Sequence, residues 1–142
     1  LVPMFIADFY NKLEMIEEAL VNYDIVLCSR WYTTTLAYCD RTTDMVAIEQ
    51  LIHTDIKPDV LFYLQISIET SLSRNTNSRE NIKPNDIYTN KMYLTKAKET
   101  YDNILNDKYN TVIIDGELSK DTVYKRIETT LKEKGIINGK RK

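Results

Sequence analysis

The residues best suited to chemistry lie in one stretch, Ile25–Asp40, with the sequence IVLCSRWYTTTLAYCD. A short apolar run ends at Arg30, and Arg30 is followed by hydroxyls and aromatics that include Thr33, Thr34, Thr35 and Tyr38. In an open α/β sheet, ligands bind outside the carboxyl ends of the strands. A guanidinium at such an end offers a planar fork of donors that matches a carboxylate or a phosphate. The pattern implies a site that holds something anionic and flat. The plainer alternative is a surface ion pair from Arg30 to Asp40, and exposed pairs of that kind contribute little.

Three further elements are needed to position this stretch. Phe5 to Val21 has helical spacing, with Ile6, Leu13, Ile16 and Leu20 on one face and Glu14, Glu17 and Glu18 off it. Ile25–Cys28, Val60–Leu64 and Thr111–Asp115 are continuous apolar runs and are expected as strands buried on both faces, which makes Cys28 a buried, inert thiol. Helices are expected over Tyr32–Cys39, about Thr43–His53, Ile68–Arg74 with Ser67 as cap, a long stretch after Asp86 with the stripe Tyr93, Ala97, Tyr101 and Leu105, and a last helix begun by Ser119 or Asp121. Three strands separated by helices mean a parallel α/β sheet with right-handed crossovers. Its functional rim would carry Ser29-Arg30, Gln65 and Asp115-Gly116. The polar run Asn75–Asn85 has no periodicity and is expected as a mobile loop or lid, and the basic tail from Gly135 as a frayed end.

The totals narrow the class. At 142 residues the chain is one domain or a large part of one, with 43% hydrophobic and 28% charged residues, which is globular rather than disordered. A net charge of −2 argues against duplex nucleic acid as a main partner. No apolar run approaches a membrane span, and no signal segment opens the chain. The two cysteines, Cys28 and Cys39, match no zinc or CxxC spacing, and a reducing cytoplasm is the simplest location. His53, the only histidine, is assigned no catalytic role. There are only three glycines, Gly116, Gly135 and Gly139, so a glycine-rich phosphate cradle has no place among these residues.

With the arginine, the lid and the rim in place, the chain resembles the thymidylate kinases, P-loop kinases of nucleoside monophosphates. LCSRWYTTTLAYC is similar to that family's strand-end Asp-Arg-Tyr motif and the Ser-Ser-Leu-Ala-Tyr-Gln that follows it. KPDVLFYLQISIETSLSR resembles its Lys-Pro-Asp strand and the helix after it, and PMFIADFYNKL its Leu-Phe-Ala-Ala-Asp-Arg helix opening. The resemblance implies a three-layer α/β/α parallel sheet, one partial domain over residues 1–142 with a lid near 75–86, and ATP-dependent phosphorylation of a deoxynucleoside monophosphate, dTMP to dTDP, with Mg2+. Arg30 would hold the acceptor phosphate and Phe5 would stack on the base. Thr35 falls near the base beside Thr34, Tyr38 under the sugar, and Cys39 where the family reads the thymine edge with glutamine. Arg74 or Arg79 would be the lid arginine, and Gly116 and Glu117 would border the adenine of ATP. Three positions depart from the pattern: Ser29 replaces the motif's aspartate, Phe9 an arginine, and Cys39 the glutamine. The family's first strand and P-loop would occupy roughly 60 residues at usual βαβ dimensions, outside these residues and between the strands at Ile25–Cys28 and Val60–Leu64. The partners implied are the monophosphate and ATP, with no nucleic acid and no membrane; the sequence leaves the oligomeric state open, and the resemblance admits a homodimer. The competing readings are a degenerate nucleotide-binding or scaffold relative and a deoxynucleoside kinase.

Overall fold

The computed structural model describes residues 2–39, 45–52, 54–78, 90–105 and 110–137. His53, Arg79, Asp86, most of the expected lid, and the last five residues of the basic tail lie outside them. The described elements are α1 (Val2–Asn22), α2 (Thr33–Tyr38), α3 (Met45–Leu51), β1 (Leu61–Gln65), α4 (Ile68–Ser78), α5 (Lys91–Leu105), β2 (Thr111–Asp115) and α6 (Lys120–Glu133). The chain forms two compact units, one of Leu1–Lys57 with Met92–Asn106, the other of Pro58–Lys91 with Asp107–Lys142.

The first unit is helical. Pro3 falls in the first turn of α1, where a missing N–H costs nothing. The other end of α1 is closed by Asn22, whose side-chain amide donates to the Glu18 carbonyl at 2.8 Å. Its core collects Phe9 and Leu13 from α1, Leu36 and Ala37 from α2, Ile48 from α3, and Leu94, Ala97, Ile104 and Leu105 from α5. Two expected faces therefore shift. In α1, Leu20 of the predicted stripe is exposed and Phe9 is buried instead. In α5, Leu94 is buried where Tyr93 was expected, and Tyr93 is largely exposed. Three polar links tie the helices together: Tyr101 Oη donates to Thr34 Oγ1 at 2.8 Å, Lys96 Nζ to the Cys39 carbonyl at 3.2 Å, and Tyr10 Oη to the Leu51 carbonyl at 2.7 Å.

The second unit holds the sheet. β1 and β2 pair in parallel, with Leu61 opposite Thr111 and Gln65 opposite Asp115. Gly116 N–H extends the ladder to the Gln65 carbonyl at 2.8 Å. A Cβ at Gly116 would stand 2.6 Å from Ile66 Cγ2, so the close approach of the turn to β1 requires glycine. Ser119 caps α6 by accepting from Thr122 N–H, with Asp121 in the first turn. At the other end Gly135 has φ +70°, its N–H meets the Lys132 carbonyl, and Ile136 N–H meets the Leu131 carbonyl. That is a Schellman stop, so the chain at 135–137 is an ordered cap rather than the start of a frayed tail. α4 also runs four residues past Arg74, so 75–78 is helix where a loop was expected.

The main correction concerns Ile25–Cys28. It is not a strand, Leu27 is 88% exposed, and Cys28 is exposed. A strand exists only through a neighbour that takes its backbone hydrogen bonds, and among the described residues the sheet has two strands, neither paired with this segment. Leu64 is 48% and Ile113 51% exposed, where burial on both faces was expected. The α/β character and the parallel pairing stand, in the form of helices with a small parallel sheet.

Leu36 is 1% exposed and anchors the helix that carries Thr34 and Thr35. Leu36→Ala is expected to destabilise the chain by about 2–5 kcal/mol, read as a lowered chemical-denaturation midpoint with an unchanged m-value.

Candidate functional site

The first unit contains a cavity of about 160 Å3. One wall is the face of α1 that carries Phe5, Asp8, Phe9, Lys12 and Ile16, residues three, four or seven apart and hence on one helical stripe. The other wall is the irregular segment Cys28–Tyr32 together with Thr34 and Thr35 at the start of α2. Aromatic contact joins the walls: the Phe9 ring lies edge-on to Trp31 at 5.1 Å between centroids and to Tyr32 at 5.7 Å.

Arg30 is exposed at the cavity with φ +70°, the left-handed region that non-glycine residues rarely adopt. Its carbonyl accepts from Cys28 Sγ at 3.1 Å, which closes the bend on itself. Desolvation pushes the Cys28 thiol above its ordinary pKa, and the Lys12 charge pulls the other way. The thiol is therefore a neutral donor near pH 7. Lys12 Nζ holds Asp8 Oδ2 at 2.6 Å. The structure thus gathers four of the predicted acceptor residues, Phe5, Arg30, Thr34 and Thr35, around one cavity. Tyr38 and Cys39 are not among its lining residues, and Cys39 is buried with its carbonyl on Lys96. Sequence reasoning missed Asp8 and Lys12 as cavity residues. Their only signal was spacing, one helical turn and two turns beyond Phe5.

The second unit carries a separate constellation at the carboxyl end of β2. Glu117 Oε1 accepts from Ser67 N–H at 2.7 Å, and Glu117 Oε2 accepts from Thr70 Oγ1 at 2.6 Å. Arg74 Nη1 donates to the Gly116 carbonyl at 2.9 Å, and Glu117 N–H donates to Asp115 Oδ1 at 2.9 Å. The carboxylate therefore closes the amino end of α4, where Thr70 N–H also meets Ser67 Oγ at 3.1 Å. The Thr70 hydroxyl first, then the Ser67 donors, and last the Arg74 charge lower the Glu117 pKa to about 2. Both of its oxygens are engaged, so what this rim leaves for a ligand is its backbone and shape. Arg74, expected in the lid, braces the rim in this structure. Arg79 lies outside the described residues.

Neither constellation suits a nucleoside triphosphate with its metal. No group of three or more His, Cys, Asp or Glu among the described residues could hold a metal ion. The glycines are too far apart in sequence to form a cradle of backbone N–H groups. No described helix is long and apolar enough to cross a membrane.

Comparison with known proteins gives a consistent result. The family model for thymidylate kinase matches residues 1–127. A probable thymidylate kinase of Methanocaldococcus jannaschii is 32% identical over 116 residues, covering 81% of this chain and 57% of the relative. A probable thymidylate kinase of Methanococcus aeolicus is 30% identical over 147 residues, covering 96% of this chain and 71% of the relative. A thymidylate kinase of a Sulfurihydrogenibium species is 32% identical over 119 residues, covering 80% of this chain and 56% of the relative. Against two of these three the chain spans little more than half of the relative's length.

The rim carries a pH prediction. The folded pKa of Glu117 lies below its unfolded value, so its stabilising contribution is complete above the ordinary carboxylate range and is lost as pH falls toward about 2. The melting temperature of wild type is expected to exceed that of Glu117→Gln at pH 7, with the gap closing as pH falls from about 5 to 2. A gap that stays constant across that window would contradict the network.

Proposed function

The chain belongs to the thymidylate kinase family, and from that premise we propose that it serves the phosphorylation of a deoxynucleoside monophosphate, dTMP to dTDP, with ATP as the phosphoryl donor. The observation that carries this reading is the cavity of the first unit, where Arg30, Phe5 and the Thr34–Thr35 hydroxyls converge. A nucleoside monophosphate needs a cation for its phosphate, a flat apolar surface for its base and hydroxyl or amide partners for its polar edge. The cavity offers each of these.

In this reading the Arg30 guanidinium takes two phosphate oxygens in its fork. Phe5 supplies the face on which the base lies, and Thr35 reaches the base edge. Phosphoryl transfer asks little covalent chemistry of a protein, so the acceptor half would contribute position and charge, holding one phosphate oxygen in line with the incoming phosphoryl group. ATP would supply the phosphoryl group. Arg30 would hold the acceptor phosphate and offset its charge, while the negative charge of the transition state is spread over the transferring phosphoryl group.

The test is turnover by the full-length protein across a panel of deoxynucleoside monophosphates, followed as ADP release. Release that is fastest with dTMP is the expected result, and release no faster with any monophosphate than without one would end the proposal. Loss of a charge-assisted bidentate contact typically removes about 1.5–3 kcal/mol. Arg30→Ala is accordingly expected to lower kcat/KM for dTMP by about 10- to 150-fold, while the KM for ATP moves far less.

A further inference from the structure

Two cations line the acceptor cavity, and they come from different walls. Arg30 stands on the irregular segment and Lys12 on α1. The Lys12 ammonium is held by Asp8, four residues earlier, at 2.6 Å, and the two side chains are 56% and 59% exposed. Exposed pairs of this kind contribute little and exchange partners readily. The Lys12 charge is also felt across the cavity, at the Cys28 thiol that donates to the Arg30 carbonyl. Lys12 and Arg30 therefore line one and the same cavity.

A phosphate monoester near pH 7 carries close to two negative charges on three terminal oxygens. A single guanidinium fork satisfies two oxygens and one charge. The remaining oxygen and charge call for a compact cation on a flexible stem, which describes a lysine. Phe5 and Lys12 stand seven residues apart on one stripe of α1, about 10 Å along the helix axis, a span comparable to an extended nucleoside monophosphate from base to phosphate.

We propose that Lys12 is the second cation of the acceptor phosphate site, and that Asp8 holds its ammonium at the cavity wall until the phosphate takes it over. This rests on the monophosphate reading of the cavity. When Lys12 turns to the phosphate, the Asp8 carboxylate is left facing the same anion, so the exchange works against binding, and removing that carboxylate favours the ligand.

The experiment is titration calorimetry on the full-length protein with dTMP and, separately, with thymidine, which lacks the phosphate. Lys12→Met is expected to weaken dTMP about tenfold and to change thymidine binding less than twofold. Lys12→Arg restores most of the loss, and Asp8→Asn binds dTMP more tightly than wild type does. The assignment is overturned if Lys12→Met stays within twofold of wild type for dTMP, if it weakens dTMP and thymidine alike, or if Asp8→Asn weakens dTMP. A wild type that binds dTMP while Lys12→Met is unchanged defeats only the Lys12 assignment, whereas a wild type that binds neither ligand removes the monophosphate reading along with it.

Discussion

The cavity of the first unit depends on one ring, Phe9, set edge-on against Trp31 and Tyr32. The segment before α2 has no ladder of backbone hydrogen bonds among the described residues, so side-chain packing must fix it. Edge-to-face aromatic pairs contribute about 0.5–1.5 kcal/mol each beyond the area they bury, and here two of them share one ring. Phe9 is buried, while Phe5 one turn earlier stays accessible at the cavity. The same helix face thus supplies both the packing that forms the cavity and the surface that a ligand would meet.

What could be read from the sequence follows from whether each feature is local. The strand Thr111–Asp115, the tight turn at Gly116 and the Ser119 cap were legible because an apolar run, a glycine and a capping hydroxyl each act within a few residues. The strand expected at Ile25–Cys28 was not, because its apolar composition is local but its existence depends on a partner elsewhere. The face of α1 was misread for another reason. Apolar side chains occur all round that helix, from Met4 and Phe5 to Val21, so periodicity alone could not choose between the stripe through Leu20 and the one through Phe9. Asp8 and Lys12 were passed over because an acid and a base at four-residue spacing look like any solvated helical pair.

Two carboxylates show how similar groups take different roles. Glu117 is engaged at both oxygens, by the Ser67 amide and the Thr70 hydroxyl, and its depressed pKa reflects how fully those donors favour the charged form. Such a group fixes a loop against a helix end, and little is left over for a ligand. Asp8 has one described partner, the exposed Lys12, and a ligand of higher charge can outcompete it. The rim is built to stay as it is, and the cavity wall can rearrange.

The sign of the cavity's charge gives Ser29 a meaning. Ser29 lines the cavity at the position where the resembling motif has aspartate. The lining as it stands holds two cations, Arg30 and Lys12, and one anion, Asp8, a balance of +1 on a chain whose net charge is −2. A positive balance of this kind attracts an anion from solution. An aspartate at position 29 would bring the balance to zero, with its own carboxylate beside the Arg30 fork. In the proposed reading, serine at this position leaves the balance of the lining positive, which suits an anionic acceptor.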